Sequence, residues 1–118
     1  MTSAQPLAAL AALLDIVGPA EAPALLRQLN ADLADCDAMI QDALPRQDWP
    51  ILRRASHNLT ALAGTAGATG LQHLAEALNQ AAHVGDFATV QDLGPTIRHD
   101  LASLTAQINA LSASRETP

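Results

Sequence analysis

Apolar side chains recur every three to four residues along most of the chain, which is the spacing of one face of an α-helix. Gly18-Pro19, Pro45, the glycine-rich stretch 64–70 and Gly85 divide this pattern into segments. No segment alternates apolar and polar residues as a strand does. We therefore predict an all-α fold, an antiparallel four-helix bundle with an additional short N-terminal helix. The predicted helices span residues 4–17, 20–44, 48–65, 71–84 and 86–111.

Local signals give the expected ends of these helices. Asp48 and Asp86 stand where an aspartate side chain caps the free N–H groups of a helix start. We expect helix two to end before Pro45, because the residue before a proline avoids helical backbone. Since Pro95 lacks a backbone donor, we expect Gly94-Pro95 to interrupt and kink helix five.

The length of 118 residues is enough for one hydrophobic core and too short for two. Ala and Leu supply 45 of the 118 residues, which favours helix over strand. We expect a single domain over residues 1–111. Residues 112–118 lack apolar periodicity, and we expect them to form a disordered tail.

The charge balance excludes some classes of partner. Twelve acidic residues against six arginines, with no lysine, give a net charge of −6, so the chain lacks the basic surface that nucleic acid binding requires. The apolar stretch 7–14 is too short for a membrane span, and no basic residue precedes it as in a signal peptide. The single cysteine, Cys36, suits a reducing compartment. We expect a cytoplasmic protein with no nucleic acid or membrane partner.

His57 lies about 160° around helix three from the centre of the apolar face, so we expect its imidazole to point into solvent. Arg53 and Arg54 lie one turn before it, and Ala61 and Gly64 follow it on the same side. Small side chains there let another protein approach the ring, and the arginines could balance negative charge added to it. A neutral imidazole is a good nucleophile, which suggests phosphoryl relay chemistry. The same pattern also fits an ordinary surface histidine in an Ala-rich helix.

The sequence around His57 resembles a known motif. Residues 55–68 read Ala-Ser-His-Asn-Leu-Thr-Ala-Leu-Ala-Gly-Thr-Ala-Gly-Ala, which looks like the phosphorylation motif A-H-x-L-K-G-x-A-x-x-x-G-A of histidine-containing phosphotransfer (HPt) domains. The residues that are placed as in that family are His57, Leu59, Ala63, Gly64, Gly67 and Ala68. Val17-Gly18, residues 78–82 and Gly85-Asp86 also look like the family, and the similarity covers roughly residues 7–111.

This resemblance implies that His57 accepts a phosphoryl group from a receiver-domain aspartate, or from a kinase, and passes it to another receiver. The receiver domain of a response regulator or hybrid histidine kinase would supply the acidic pocket, the magnesium ion and most of the catalysis. The chain would then be a phosphocarrier and not an enzyme. We expect a monomer with no cofactor and no metal site of its own, in which Ala61, Gly64 and Ala68 dock the receiver.

Two departures from the family motif matter for the site, and a further small one lies outside the motif. Thr60 stands where the family usually has Lys, Ala61 where it usually has Gly, and Asn79 where it often has Glu. The missing Lys removes a cation one turn from the phosphate, and Arg53 is the expected substitute, with Arg54 behind it. We expect Arg53, Arg54 and Thr60 to support the phosphoryl group. The extra methyl group of Ala61 should narrow the receiver's approach without blocking it.

Other functions have less support in the sequence. The main alternative is a helical adaptor that binds receiver or kinase domains without carrying phosphate. His73 and His83 are out of register on helix four and lack the ligand partners of a metal site. An acyl carrier would need a serine directly after an aspartate at a helix start, and no serine follows an aspartate in this chain. No nucleophile has the base and orienting acid that a hydrolase needs.

Overall fold

The computed structural model describes residues 7–116, and no strand occurs within that range. The five helices, α1 to α5, span Ala8–Val17, Ala22–Arg46, Trp49–Ala66, Thr69–Val84 and Phe87–Glu116. Helix α2 packs on α3, α3 on α4, α4 on α5, and α5 back on α2, which closes a four-helix bundle. Helix α1 contacts α2 and α3. The predicted all-α bundle with a short N-terminal helix is therefore confirmed.

One continuous apolar core joins the five helices. Large side chains from every helix have almost no exposed surface there; they are Leu10, Leu14, Leu33, Ile40, Leu52, Leu59, Leu78, Val90, Ile97 and Ile108. Full burial of one such side chain contributes about 1.5–3 kcal/mol to folding. Alanines fill many of the remaining core positions, including Ala55, Ala63 and Ala75. Because alanine is small, the helix backbones can approach closely at these points.

Three helices end in the same backbone conformation. Gln47, Gly67 and Gly85 follow α2, α3 and α4, and each has a positive φ, of 52°, 77° and 68° respectively. The backbone N–H of each donates to the carbonyl three residues earlier, and the next N–H donates to the carbonyl five residues before it. These bonds satisfy carbonyls that a helix end leaves free. The turn after α3 therefore needs only Gly67 and Ala68, which hold α3 and α4 next to each other.

The predicted N-terminal caps are confirmed. Asp48 Oδ1 accepts a hydrogen bond of 3.3 Å from the backbone N–H of Ile51 at the start of α3. Asp86 Oδ1 accepts one of 3.2 Å from the N–H of Thr89 at the start of α5. Hydrogen bonds from the Thr89 hydroxyl and then from its N–H lower the pKa of Asp86 below its usual value. Both carboxylates therefore satisfy free N–H groups and place negative charge at a helix N-terminus.

The predicted end of α2 before Pro45 is wrong, because the helix continues through Pro45 to Arg46. A proline lacks one backbone donor, but near the last turn this costs a single helical bond. The left-handed backbone of Gln47 then closes the helix, with its N–H bonded to the carbonyls of Ala43 and Leu44. The cap geometry, and not the proline, sets the end of α2.

Helix α5 is longer than predicted. It runs unbroken through Gly94 and Pro95 to Glu116, so the expected interruption is wrong, and so is the expected disordered tail for residues 112–116. Arg115 Nη2 lies 3.3 Å from Asp15 Oδ1 of α1, which ties the last turn to the bundle. Residues 117–118 and the predicted first residues of helix one, 4–6, lie outside the described residues.

Candidate functional site

His57 lies in the middle of α3 with its side chain exposed to solvent, as its helical position predicts. Within residues 7–116, no hydrogen bond or ion pair involves its imidazole ring. The opposite face of the same helix is buried through Leu52, Ala55 and Leu59. The bundle therefore presents an unpartnered imidazole on a rigid helix, where another protein can reach it.

The residues around His57 fall on two sides of it. By helix geometry, Arg53, Thr60 and Gly64 lie toward α4, whereas Arg54 and Ala61 lie toward α2. The place of Gly64 is visible in the structure, because a Cβ atom built there would lie 3.2 Å from Gln72 Nε2 of α4. Ala61 is exposed and Gly64 is half-buried. One small residue therefore lies on each side of His57, Ala61 toward α2 and Gly64 toward α4.

Arg53 and Arg54 carry the positive charge of this surface. Arg53 is half-buried and Arg54 is exposed. Among the described residues neither one forms an ion pair, whereas Arg46 pairs with Asp42 at 2.6 Å and Arg115 pairs with Asp15 at 3.3 Å. On a helix, side chains three and four residues apart are neighbours, so both guanidinium groups can approach the imidazole of His57. Two cations without a carboxylate partner are thus available to an anion at the ring.

Thr60 and Ala68 occupy less open positions. The hydroxyl of Thr60 donates a 2.9 Å hydrogen bond to the backbone carbonyl of Ser56, so its one proton is already in use. Ala68 lies in the turn after α3, half-buried against the core. Its N–H donates to the carbonyl of Ala63 at 2.9 Å. Gly67, which begins this turn, lies about 15 Å along the α3 axis from His57. Ala61 thus follows His57 by one turn and Gly64 by two turns on the same side of α3, whereas Ala68 lies beyond the end of the helix.

An open groove of about 440 Å³ lies between α2 and α3 beside this surface. The residues that line it are Asp32, Asp35, Cys36, Met39, Asn58, Ala61 and Leu62. Asn58 and Ala61 flank His57 on α3, so the groove continues the surface around the imidazole toward α2. Its floor is apolar and its α2 rim is acidic, opposite in sign to the arginines on α3.

Cys36 lies at the base of this groove, but only 3% of it is exposed. Burial, together with the negative charges of Asp32 and Asp35, raises the pKa of its thiol to about 11. At pH 8 the native thiol is therefore almost entirely protonated, and the thiolate is the reactive form.

We expect the thiol of Cys36 in the native protein to react with iodoacetamide about two orders of magnitude more slowly than a free cysteine. Mass spectrometry of timed samples measures this, with urea-unfolded protein as the control, and equal native and unfolded rates would contradict it.

A buried polar network under His57 was missing from the sequence-based predictions. Ser56 has 0% exposure, and its hydroxyl donates a 3.1 Å hydrogen bond to the carbonyl of Arg53. The side-chain amide of Asn79 on α4 donates to the same carbonyl at 3.0 Å and to the Ser56 hydroxyl at 3.1 Å. One signal for it exists in the sequence. Ser56 lies about 60° from the centre of the buried face, and a polar residue there needs a hydrogen-bond partner.

The other histidines stand apart from this site. His73 and His83 are exposed on α4, and His99 is exposed on α5. In the part of the chain that the structure describes, no three His, Cys, Asp or Glu side chains come together in a way that could hold a metal ion. Across the same residues, no helix is long and apolar enough to cross a membrane.

The fold and the exposed histidine agree with a comparison to known families. The sequence model of the Hpt domain matches residues 20–114, which is most of the chain. This chain therefore belongs to the Hpt domain family, whose members carry phosphoryl groups in phosphorelays and interact with receiver domains. No curated protein and no solved structure matches it significantly.

Proposed function

We propose that this Hpt domain accepts a phosphoryl group on His57 from the phosphorylated aspartate of one receiver domain and passes it to another receiver. The observation that carries this proposal is the exposed imidazole of His57, which has no hydrogen-bond or ion-pair partner among residues 7–116. A buried ring could not enter a receiver's active site. The chain acts as a carrier, because its own side chains supply the acceptor atom and the receiver supplies most of the catalysis.

The transfer step needs a neutral imidazole. The lone pair of its outward ring nitrogen attacks phosphorus, and a P–N bond forms while the P–O bond to the aspartate breaks. The aspartate leaves as a carboxylate and keeps the electron pair of the broken bond. The ring keeps its N–H proton on the other nitrogen. Passing the group to a second receiver reverses these bond changes, and the magnesium ion that the step uses belongs to the receiver.

The direct test is transfer from a phosphorylated receiver domain. The receiver is labelled on its aspartate and mixed with the native protein in magnesium buffer, and the protein is then tested for phosphate that acid removes and base does not. Such a label supports the proposal, and chelation of magnesium with EDTA should prevent it. If every receiver of the source organism fails to label the protein, the phosphate-carrying role is wrong. Binding without label would then indicate the adaptor function.

Arg53 and Arg54 are proposed to balance the charge of the phosphoryl group. We expect Arg53→Gln/Arg54→Gln to slow transfer roughly fivefold at low salt, since about 1 kcal/mol is a reasonable contribution from two partly exposed cations. The difference should shrink as salt screens the charges. Samples quenched at successive times, at two ionic strengths, give the transfer rates that are compared. Arg98→Gln is the control, because Arg98 is exposed like Arg54 and has no ion pair among the described residues. Equal rates for the double variant and the control at low salt would count against this role.

Gly64 is proposed to leave space for the receiver beside His57, because glycine has no side chain that projects onto the docking surface. In Gly64→Leu the new Cβ lies 3.2 Å from the Gln72 amide, so the side chain must displace Gln72 or project onto the docking surface. We expect receiver-dependent transfer to fall at least tenfold, by loss of close approach. Circular dichroism should show unchanged helix content, because leucine favours helix more than glycine does.

Gly70→Leu is the matched control for Gly64→Leu. Gly70 lies in the first turn of α4, and a Cβ atom there meets nothing within 4 Å beyond its chain neighbours and the adjacent backbone of its own helix. This variant should transfer at the native rate. Normal transfer by a folded Gly64→Leu protein would contradict the proposed docking surface.

A further inference from the structure

The carbonyl oxygen of Arg53 links the backbone of His57 to helix α4. In an α-helix each backbone N–H donates to the carbonyl four residues earlier, so the N–H of His57 donates to the Arg53 carbonyl. The same oxygen accepts hydrogen bonds from Asn79 Nδ2 at 3.0 Å and from the Ser56 hydroxyl at 3.1 Å. Asn79 on α4 therefore donates to the same oxygen that accepts the backbone hydrogen bond of His57.

Every donor of the network has an acceptor. Asn79 Nδ2 donates to the Arg53 carbonyl and to the Ser56 hydroxyl, and the hydroxyl donates its own proton to the carbonyl. Ser56 is fully buried, and it is the one fully buried polar side chain among the described residues. A buried hydroxyl is retained in a core only when its hydrogen bonds are satisfied. The network is thus a built feature of the interface between α3 and α4.

The other contacts between α3 and α4 are less directional than the hydrogen bonds of Asn79. It consists mainly of small and aliphatic side chains such as Ala63, Ala75 and Leu78, and apolar burial is non-directional. Within residues 7–116, no other side-chain hydrogen bond crosses from α3 to α4. Hydrogen bonds have strict distance and angle requirements. The Asn79 amide is therefore the directional side-chain contact between α3 and α4 among the described residues.

We propose that Asn79 is a positioning residue for phosphotransfer, which holds the turn of α3 that displays His57 through the Arg53 carbonyl and the Ser56 hydroxyl. This inference rests on the proposed function of His57. Asn79 does not touch the phosphoryl group, and its effect reaches the imidazole through the backbone. In-line transfer requires the ring nitrogen and the phosphorus to meet about 3 Å apart, and a misplacement of about 1 Å can slow a reaction a hundredfold. Rotation of α3 would move the ring by such amounts.

The test compares Asn79→Leu, which removes both donors at similar volume, with Asn30→Leu. Asn30 is a matched control because its amide also bonds across helices, to Asn109 Oδ1 at 2.9 Å, in an interface between α2 and α5 that does not include α3. The receiver used is the one that labels the native protein fastest. We expect Asn79→Leu to lower the maximal transfer rate about tenfold, with little change in the receiver concentration at half-maximal rate. Asn30→Leu should transfer at the native rate.

A reaction with phosphoramidate shows whether Asn79→Leu misplaces the imidazole of His57 or makes the ring itself less reactive. This small donor phosphorylates an exposed imidazole without a receiver, so the orientation of α3 hardly matters to it. Asn79→Leu should therefore react with phosphoramidate at the native rate while its receiver-dependent transfer is slow. Equal slowing of both reactions would overturn the proposal in favour of a change in the ring itself. Native receiver-dependent transfer by a folded Asn79→Leu protein would overturn it directly.

Ser56→Ala and Asn79→Gln keep the proposal testable if Asn79→Leu does not fold. Ser56→Ala removes one link but leaves the bond from Asn79 to the Arg53 carbonyl, so we expect a rate loss of about threefold. Asn79→Gln keeps the amide and should recover part of the rate that the leucine variant loses. If both variants transfer like the native protein, the positioning role is wrong, although the proposed function still stands. If the native protein takes no label from any receiver, the proposed function itself fails.

Discussion

His57→Gln should abolish labelling by a phosphorylated receiver and leave the bundle folded. Glutamine is polar and similar in length, and His57 is exposed without a hydrogen bond among the described residues, so the core loses nothing. The variant has no ring nitrogen that can attack phosphorus. Label should therefore fall to background, while circular dichroism and the urea midpoint stay those of the native protein. This pairing of a lost reaction with an unchanged fold is what an exposed acceptor on a rigid helix predicts.

His73→Gln is the control for this variant. His73 is an exposed histidine on the neighbouring helix α4, and it should contribute nothing to labelling. The native protein and His73→Gln should therefore carry equal amounts of acid-labile phosphate. If His57→Gln keeps its label, or if the label is lost in His73→Gln, then the phosphoacceptor has been assigned to the wrong residue.

Leu59→Ala should have the opposite effect, with a large loss of stability. Leu59 follows His57 by two residues on α3, but it faces inward and has 0% exposure. Truncation of a fully buried leucine removes apolar contacts and leaves a cavity, which costs about 2–5 kcal/mol. Urea denaturation followed by circular dichroism measures the change. Leu74→Ala is the control, because Leu74 on α4 is only partly buried and should lose less. A loss below about 1 kcal/mol for Leu59→Ala would mean that this face of α3 is not the packed centre of the bundle.

The number of helices and most of their ends could be predicted because each depends on nearby residues. Apolar spacing predicted five helices, and Asp48 and Asp86 predicted two of the caps. The errors fell where local signals compete with packing. Pro45 was expected to end α2, but the backbone conformation of Gln47 ends it instead.

The acceptor histidine was easier to predict than the residues that support it. The outward direction of His57 follows from the period of one helix, which the sequence shows directly. The bond from Asn79 to the Arg53 carbonyl joins residues that are 26 positions apart. The bond from Arg115 to Asp15 joins residues 100 positions apart, and it accompanies a last turn of α5 that apolar periodicity did not predict.

The sequence by itself determined the helical class, the turns between helices and the face from which His57 projects. It did so because helix periodicity and cap chemistry act over fewer than about ten residues. Only the tertiary structure decided which side of His57 meets α4, that Asn79 reaches the backbone beneath it, and that a groove continues its surface toward α2. These features depend on how far each helix is rotated against its neighbours, and that angle results from the packing of all the side chains together.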